Sequence, residues 1–312
     1  MIMNKQDKSS TGWEREIVEK LAFATLTEQR RNRRWRIFFV LLFFVYLFAT
    51  PFLFSGKFEW SDLKKGEKHT ALVDLEGVIS SGSEASADKI VEALRDAFKD
   101  DNTAGVILRI NSPGGSPVQS SYINSEIARL RKKHPDTPIY AVITDLCASG
   151  GYFVAAAADK IYANESSIVG SIGVIMNGFG FPEAMEKLGV ERRALTAGEH
   201  KSLMDPFSPL KEEDKEHIQV MLDEIHDQFI STVRKGRKDK LEEDDKLFSG
   251  LIWTGEKAKE LGLIDEFGSA GYVAREVIKA EDIVNFTAQE DLLNRLIDRL
   301  GVSVVNSLSR IW

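Results

Sequence analysis

Ser149 and Lys201 are the residues of this chain whose types and settings best suit catalysis. Ser149 lies in the run DLCASGGYFVAAAAD, between an apolar strand-like stretch and the small-residue start of a helix, where a serine hydroxyl can be exposed as a nucleophile. Lys201 follows 52 residues later in the Gly-marked turn TAGEHKSL. Lysine acts as a base only in its neutral form, which desolvation or neighbouring cations favour. The two residues together predict a hydrolase that needs neither histidine nor metal.

Each of these residues also has a structural interpretation. A serine just before a helix is a common N-cap, and a lysine in a polar turn is usually charged and solvated. Ser171 in the run GSIGV could hold the neutral amine of Lys201 in place. The pattern alone does not choose between the catalytic and the structural interpretations.

Two glycine pairs follow predicted strands and open predicted helices. In the run CASGG, the Gly150 amide would face an oxyanion beside Ser149, and the helix N-terminus would add positive potential. In NSPGGSP (Asn111–Pro117), the glycines permit positive φ, which serves either an oxyanion site or a simple change of direction. The Gly-Lys-Ser/Thr ending of a phosphate loop is absent from this run.

Other catalytic chemistries are less well supported. His200 adjoins Lys201, so in most backbone conformations only one of the two points into a given site. The sequence has no HExxH and no paired His/Cys spacing, and we predict no metal and no cofactor. Cys147, the single cysteine, lies in an apolar stretch and is predicted to be a small core residue rather than a reactive thiol.

Bulk properties narrow the class of protein. A chain of 312 residues can form one large or two ordinary domains. Its net charge of −7 argues against nucleic acid as a partner. The charge is unevenly placed, because residues 1–36 contain nine Lys/Arg and five Asp/Glu, a net of +4.

The segment Ile37–Phe54 is predicted to be a membrane anchor. Its 18 residues carry no charge and include seven phenylalanines, and as a helix they would span about 27 Å. Five arginines, at positions 30, 31, 33, 34 and 36, directly precede the segment. Because positive charge beside a membrane span favours the cytoplasmic side, the N-terminus should stay cytoplasmic and the rest of the chain should be exported. The long preceding region and the lack of an A-x-A-like site favour a signal anchor over a cleaved signal peptide.

From His69 the sequence alternates apolar strand-like runs with amphipathic helices, which predicts an α/β fold with a mainly parallel sheet and crossover helices. Strands are predicted at Thr70–Ile79, Ala104–Ile110, Pro138–Leu146, Lys160–Asn164 and Ser171–Met176, and helices at Ala87–Asp100, Ser120–Lys133, Gly150–Ala158 and 212–236. The predicted organisation is a cytoplasmic segment (1–36), an anchor (37–54), a tether (55–68), a catalytic domain (69–280) and an amphipathic tail (281–312).

The ordered set of motifs NSPGG, ASGGYFVAAAADKIYA, GSIGV and GEHKS resembles the signal peptide peptidase A family of Ser-Lys serine peptidases, over roughly residues 70–280. The resemblance implies a crotonase-like, caseinolytic-protease-like spiral and a homo-oligomeric ring in which neighbouring subunits complete each site. It implies Ser149 as nucleophile, Lys201 as general base, Gly115 and Gly150 as oxyanion amides, and Ser171 as the residue that holds the lysine. The glycine that often follows NSPGG is Ser116 here.

We therefore expect a peptidase of the bacterial inner membrane, with a single span, a periplasmic catalytic domain and no cofactor, that cleaves remnant signal peptides and other apolar peptides. Tyr152, Phe153, Val154 and Ile172 predict an apolar specificity pocket. Two alternatives remain: an acyl-CoA hydratase or hydrolase on the same fold, and a non-catalytic membrane scaffold.

Overall fold

The computed structural model describes residue 20, residues 29–47 and residues 67–287. The chain divides into two compact units, one formed by Met1–Lys65 with Asp291–Trp312 and the other by Gly66–Glu290. In the first unit, residues 29–47 form a helix, α1, whose side chains are exposed.

Among the described residues, no helix combines the length and the apolar character that a membrane crossing requires. The predicted anchor, residues 37–54, coincides with α1 only as far as residue 47, and its remainder lies outside the described residues. Most of the predicted segments 1–36 and 55–68, and residues 288–312 of the predicted tail, also lie outside them. These assignments stay predictions.

The second unit is built on one sheet of eight strands. The strands are β1 (His69–Glu76), β2 (Thr103–Ser112), β3 (Ile139–Ala148), β4 (Lys160–Ala163), β5 (Ile168–Gly170), β6 (Ile252–Thr254), β7 (Glu266–Phe267) and β8 (Ile283–Asn285). Six strands follow the order β6-β5-β3-β2-β1-β8, and β4 and β7 extend from β3 beside β5. All pairings are parallel except that of β5 with β6, so the predicted mainly parallel sheet is confirmed.

Helices cover the sheet. The helices of this unit are α2 (Ala87–Lys99), α3 (Pro117–Lys133), α4 (Gly150–Ala155), α5 (Pro182–Lys187), α6 (Glu212–Arg237), α7 (Gly255–Glu260) and α8 (Ala270–Tyr272), with a 3-10 turn (Lys238–Lys240) and a π-helix (Val273–Ile278). In α2, Ile90, Leu94 and Phe98 recur every four residues and are buried, as expected for a helix with one apolar face. Ser116 caps α3 by accepting a hydrogen bond from the Gln119 amide.

The three central strands β1, β2 and β3 are mostly buried, which explains their largely apolar sequences. One side of the core includes the buried faces of α2, α3 and α4. A smaller cluster, Leu72, Ile107, Val142, Tyr162, Val273 and Ala274, joins the strands to the π-helix. Both faces of the central sheet are therefore shielded from water.

Several predicted strand and helix ends are shifted by up to three residues, and one predicted strand is absent from the structure. The strand predicted at Ser171–Met176 is wrong: β5 ends at Gly170, and residues 171–181 have no regular secondary structure. Gly170 and Ser171 have φ of 114° and 51°, and two successive positive φ values cannot continue a strand. β8, which follows residue 280, pairs with β1 at the edge of the sheet. The predicted domain limits stay predictions.

Candidate active site

Ser149 lies at the turn between β3 and α4. Its φ of 52° and ψ of −123° are unusual for a residue with a side chain, and such strain persists where the surrounding structure enforces it, often at functional sites. The Ser149 amide donates to the Gly170 carbonyl (2.8 Å), and the Ser149 carbonyl accepts from the Phe153 amide (3.0 Å). The half-buried side chain lines a cavity of about 950 Å³. The sequence prediction of a serine at a strand-to-helix turn agrees with this position.

The NSPGG loop lies directly against this turn. A Cβ added to Gly114 would lie 2.6 Å from the Gly150 nitrogen and 2.7 Å from Ser149 Cβ, so only glycine fits there. The loop is held by Ile79, whose amide donates to the Gly114 carbonyl (2.9 Å) and whose carbonyl accepts from the Ser116 amide (2.8 Å). Glycine at position 114 therefore allows the loop to pack directly against the turn that contains Ser149.

The Gly115 and Gly150 amides lie at this contact. Both residues line the cavity together with Ser149. Within residues 67–287, neither amide donates a hydrogen bond, and Gly150, as the first residue of α4, has no acceptor inside its own helix. Two free amides beside a serine hydroxyl are the arrangement that stabilises a tetrahedral oxyanion.

Two side-chain hydrogen bonds hold α4 in place, and a third lies beside them. The Tyr152 hydroxyl donates to the Leu263 carbonyl (2.7 Å), and the Asn124 side chain donates to the Phe153 carbonyl (2.7 Å). The Arg237 Nε donates to the Gly262 carbonyl (2.9 Å), next to the acceptor of Tyr152. The short helix that follows the nucleophile is thus tied to α3 and to the segment after α7 that contains Leu263.

Arg237 and Asp265 form an ion pair beneath this region. Arg237 Nη1 lies 2.7 Å from an Asp265 carboxylate oxygen, and the Arg237 side chain is 1% exposed. Burial alone would raise the pKa of Asp265, but the hydrogen bonds from Arg237 and Lys240 outweigh it and hold the pKa below its ordinary value. The carboxylate therefore stays charged and keeps the buried guanidinium paired.

The cavity beside Ser149 has largely apolar walls. Its apolar lining residues are Pro117, Val118, Tyr122, Phe153, Val174, Ile175, Ile225 and Phe229, and Asp227 is the one Asp, Glu, Lys, Arg or His residue among the residues that line it. Of the four residues predicted to form an apolar pocket, only Phe153 contributes. Tyr152, Val154 and Ile172 are fully buried in the core instead.

Lys201 lies in an exposed turn closed by the hydrogen bond from its own amide to the Gly198 carbonyl (3.2 Å). Its Nζ has no hydrogen-bond or ion-pair partner in the described part of the chain, and Lys201 does not line the Ser149 cavity. Ser171 follows the strand next to β3, and its amide donates to the Leu251 carbonyl (2.7 Å). The structure therefore brings Ser149, Gly115 and Gly150 together in one subunit, but not Lys201.

His200 has a partner of its own. Its Nδ1 lies 2.7 Å from an oxygen of Asp214, a buried residue in the first turn of α6. This hydrogen bond raises the pKa of His200 above its ordinary value, although desolvation acts in the opposite direction. His200, like Lys201, does not line the Ser149 cavity.

Cys147 is fully buried, as predicted for a core residue, and burial raises the pKa of its thiol. Sequence reasoning missed Ser120, a buried hydroxyl in α3 that also lines the cavity. Its position five residues after Gly115 is only a weak indication of a role in the site, because the spacing does not determine which side of the helix faces the cavity.

Comparison with known proteins identifies the relatives of this chain. Residues 131–284 match the model of Peptidase family S49. The chain is 32% identical over 250 residues to the "Putative signal peptide peptidase SppA" of Enterococcus faecium, covering 76% of this chain and 72% of that protein. It is 34% identical over 245 residues to "Protease 4" of Haemophilus influenzae, covering 76% of this chain and 39% of that protein.

A further relative carries a different name. The chain is 45% identical over 242 residues to the "Na(+)/H(+) antiporter NhaA" of Brucella abortus (strain 2308), covering 76% of this chain. The matched region is 33% of that protein, so the chain spans about a third of its length. The name of that relative therefore describes a much longer protein.

Proposed function

Because the chain belongs to peptidase family S49, we propose that it is a serine endopeptidase in which Ser149 is the nucleophile and Lys201 the general base. The observation that carries the proposal is the joint position of Ser149 and the free Gly115 and Gly150 amides on one cavity. Family membership also favours a peptidase over the acyl-CoA hydratase or hydrolase and over the scaffold. The crotonase-like spiral implied by the resemblance remains part of this proposal.

The proposed reaction is acyl transfer through an ester. Neutral Lys201 takes the Ser149 Oγ proton as Oγ attacks the peptide carbonyl, and the Gly115 and Gly150 amides donate to the resulting oxyanion. The Lys201 ammonium then protonates the leaving amine as the peptide bond breaks. Water, deprotonated by Lys201, attacks the ester, and the returning proton restores Ser149 as the new carboxyl end leaves.

Lys201 would reach the site from a neighbouring copy of the chain. It lies on the segment of residues 173–211, here called the Lys201 arm, which exposes large apolar side chains. Their exposed fractions are 81% at Ile175, 82% at Phe179, 78% at Leu188 and 100% at Leu195. Exposed apolar side chains in such numbers favour burial against another subunit. The proposed assembly is a homo-oligomeric ring in which Ser171 holds the incoming lysine.

The proposed substrates are apolar peptides, including remnant signal peptides. The largely apolar cavity walls favour apolar side chains at the scissile position. Gly173, Val174 and Ile175 line the cavity but belong to no strand, so their backbone groups are available to pair with an extended peptide. A peptide library should therefore be cut after Leu, Ala or Phe and not after charged residues.

Location at the bacterial inner membrane is also part of the proposal. It rests on the uncharged segment Ile37–Phe54 and on the arginines before it, which would place the catalytic domain in the periplasm and residues 37–54 in lipid. A reporter enzyme that is active only after export should be active when it is fused after Trp60. Activity of a cytoplasmic reporter at the same position would contradict the proposed orientation.

Covalent labelling with a fluorophosphonate tests the dyad. We expect labelling of the full chain at Ser149, none in Ser149→Ala, and a loss of about 10²–10⁴ in rate in Lys201→Ala. Two controls, His200→Ala and Lys187→Ala, should label like the wild type, because the first removes the neighbouring histidine and the second an exposed lysine of the same arm. Loss of labelling in His200→Ala with retention in Lys201→Ala would reverse the assignment.

A further inference from the structure

Ser120 is a buried serine of α3 beside the candidate nucleophile. It lies near the start of α3, is 0% exposed, and lines the same cavity as Ser149. Within residues 67–287, its Oγ has no hydrogen-bond partner. A serine inside a helix commonly donates to the carbonyl four residues earlier, but the Ser116 carbonyl accepts only the Ser120 amide (3.0 Å). A buried polar group without a partner is unfavourable, which points to a ligand that completes it.

The Ser120 hydroxyl lies close to the two residues that carry the free amides. A Cβ added to Gly150 would lie 2.5 Å from Ser120 Oγ and 3.2 Å from the Gly115 nitrogen. The small space next to the Gly150 Cα, where a side chain would begin, is therefore bordered by the Ser120 hydroxyl, by Gly150 and by Gly115. Glycine at position 150 keeps this volume free of side-chain atoms.

We propose that Ser120 is a third oxyanion donor. When Ser149 attacks the peptide carbonyl, the Ser120 O–H donates to the negatively charged oxygen together with the Gly115 and Gly150 amides. The Ser120 proton stays on its own oxygen throughout, so the step is hydrogen bonding without proton transfer. This inference rests on the proposed function, because it assigns Ser120 to the same reaction.

Ser120 should respond to substitution differently from a serine that only stabilises the fold. A hydroxyl that has its hydrogen bond in the resting protein stabilises the fold, whereas the Ser120 hydroxyl gains its partner only when the oxyanion forms. Its removal should therefore lower kcat, leave KM nearly unchanged, and leave Tm unchanged or raised.

The test uses Ser120→Ala in the full chain. Three quantities are measured: kcat and KM on an apolar fluorogenic peptide, the rate of Ser149 labelling by a fluorophosphonate, and Tm. We expect kcat and the labelling rate to fall by about 10²-fold, the typical effect of one oxyanion donor, because the phosphoryl oxygen occupies the oxyanion position. Ser125→Ala is the matched control, since Ser125 is an exposed serine of the same helix that does not line the cavity.

Each outcome decides the matter. An unchanged kcat in Ser120→Ala, or a rise in KM alone, overturns the inference. A fall in Tm also overturns it, because the hydroxyl would then be bonded in the folded protein. If wild-type Ser149 is not labelled at all, the proposed function fails; if the wild type is labelled and Ser120→Ala reacts equally fast, only the role of Ser120 fails.

Discussion

Ser149 and Ser171 occupy equivalent positions at the ends of two neighbouring parallel strands. Each follows one member of the paired residues Ala148 and Gly170, and the two serines have nearly the same positive φ, 52° and 51°. The Ser149 amide donates to the Gly170 carbonyl, so the two turns are linked by a hydrogen bond. Since the carboxyl ends of parallel strands share one edge of the sheet, both hydroxyl groups belong to the same edge.

Mixing two inactive variants tests whether a neighbouring subunit supplies Lys201. Oligomers that contain both Ser149→Ala and Lys201→Ala chains should recover activity, because some sites combine an intact Ser149 with an intact Lys201. For random assembly of equal amounts, about a quarter of the sites are complete. The measurement is peptide hydrolysis after co-expression.

The control for this experiment is the mixture of Ser149→Ala with the double variant Ser149→Ala/Lys201→Ala, which has no intact nucleophile. It should remain inactive. A mixture of the two single variants that assembles into oligomers and still shows no hydrolysis would mean that both residues act within one chain.

Gly114→Ala should disable the site. The added Cβ would lie 2.6 Å from the Gly150 nitrogen and 2.7 Å from Ser149 Cβ, and the backbone φ of 98° is unfavourable for alanine. We expect hydrolysis to fall by about 10²-fold or more, as for loss of an oxyanion donor. Gly82→Ala is the control, because no atom lies within 4 Å of its added Cβ. Equal rates for the two variants would show that the loop does not position the oxyanion amides.

Glu126 should make stability depend on pH. It accepts hydrogen bonds from Arg129 and from Arg95, which lies on the neighbouring helix α2. The bond from Arg129, against opposing desolvation, lowers the pKa of Glu126 from 4.5 to about 2. Because the pKa is lower in the folded state, this stabilisation is fully present above the unfolded value of 4.5 and is lost as pH falls toward about 2.

The variant Glu126→Gln should therefore lower the free energy of unfolding by about 2 kcal/mol at pH 7, the range of a hydrogen bond to a charged group. Urea denaturation of variant and wild type at several pH values gives the comparison, and the difference should shrink toward pH 2. Glu92→Gln, at an exposed glutamate of α2, should change little at any pH. A difference that is constant with pH would show that ionisation of Glu126 is not the cause.

Asp265→Asn should destabilise the protein strongly. Asp265 accepts from Arg237 Nη1 (2.7 Å), from the Ile161 amide (2.8 Å) and from Lys240. Loss of the Asp265 charge leaves the buried Arg237 guanidinium without its counter-charge, which typically lowers the free energy of unfolding by about 3–5 kcal/mol. Thermal unfolding of this variant should be compared with that of Asp239→Asn, an exposed aspartate nearby. Equal Tm values in the two variants would show that the buried ion pair contributes little.

The sequence by itself determined the features that local patterns encode. Buried parallel strands have continuous apolar sequences, and the glycines that follow two of them indicate turns, so the turn at Ser149 and the NSPGG loop could be located from residue types alone. The strand predicted at Ser171–Met176 was wrong because an apolar sequence does not reveal the positive φ of Gly170 and Ser171.

The tertiary structure alone decided which of these groups share a cavity. The contact between Gly114 and the Ser149 turn, the buried hydroxyl of Ser120 and the exposure of Lys201 all depend on residues far apart in the chain. No local pattern specifies them, since the direction in which a helix or a turn presents a side chain is set by the packing of the elements around it.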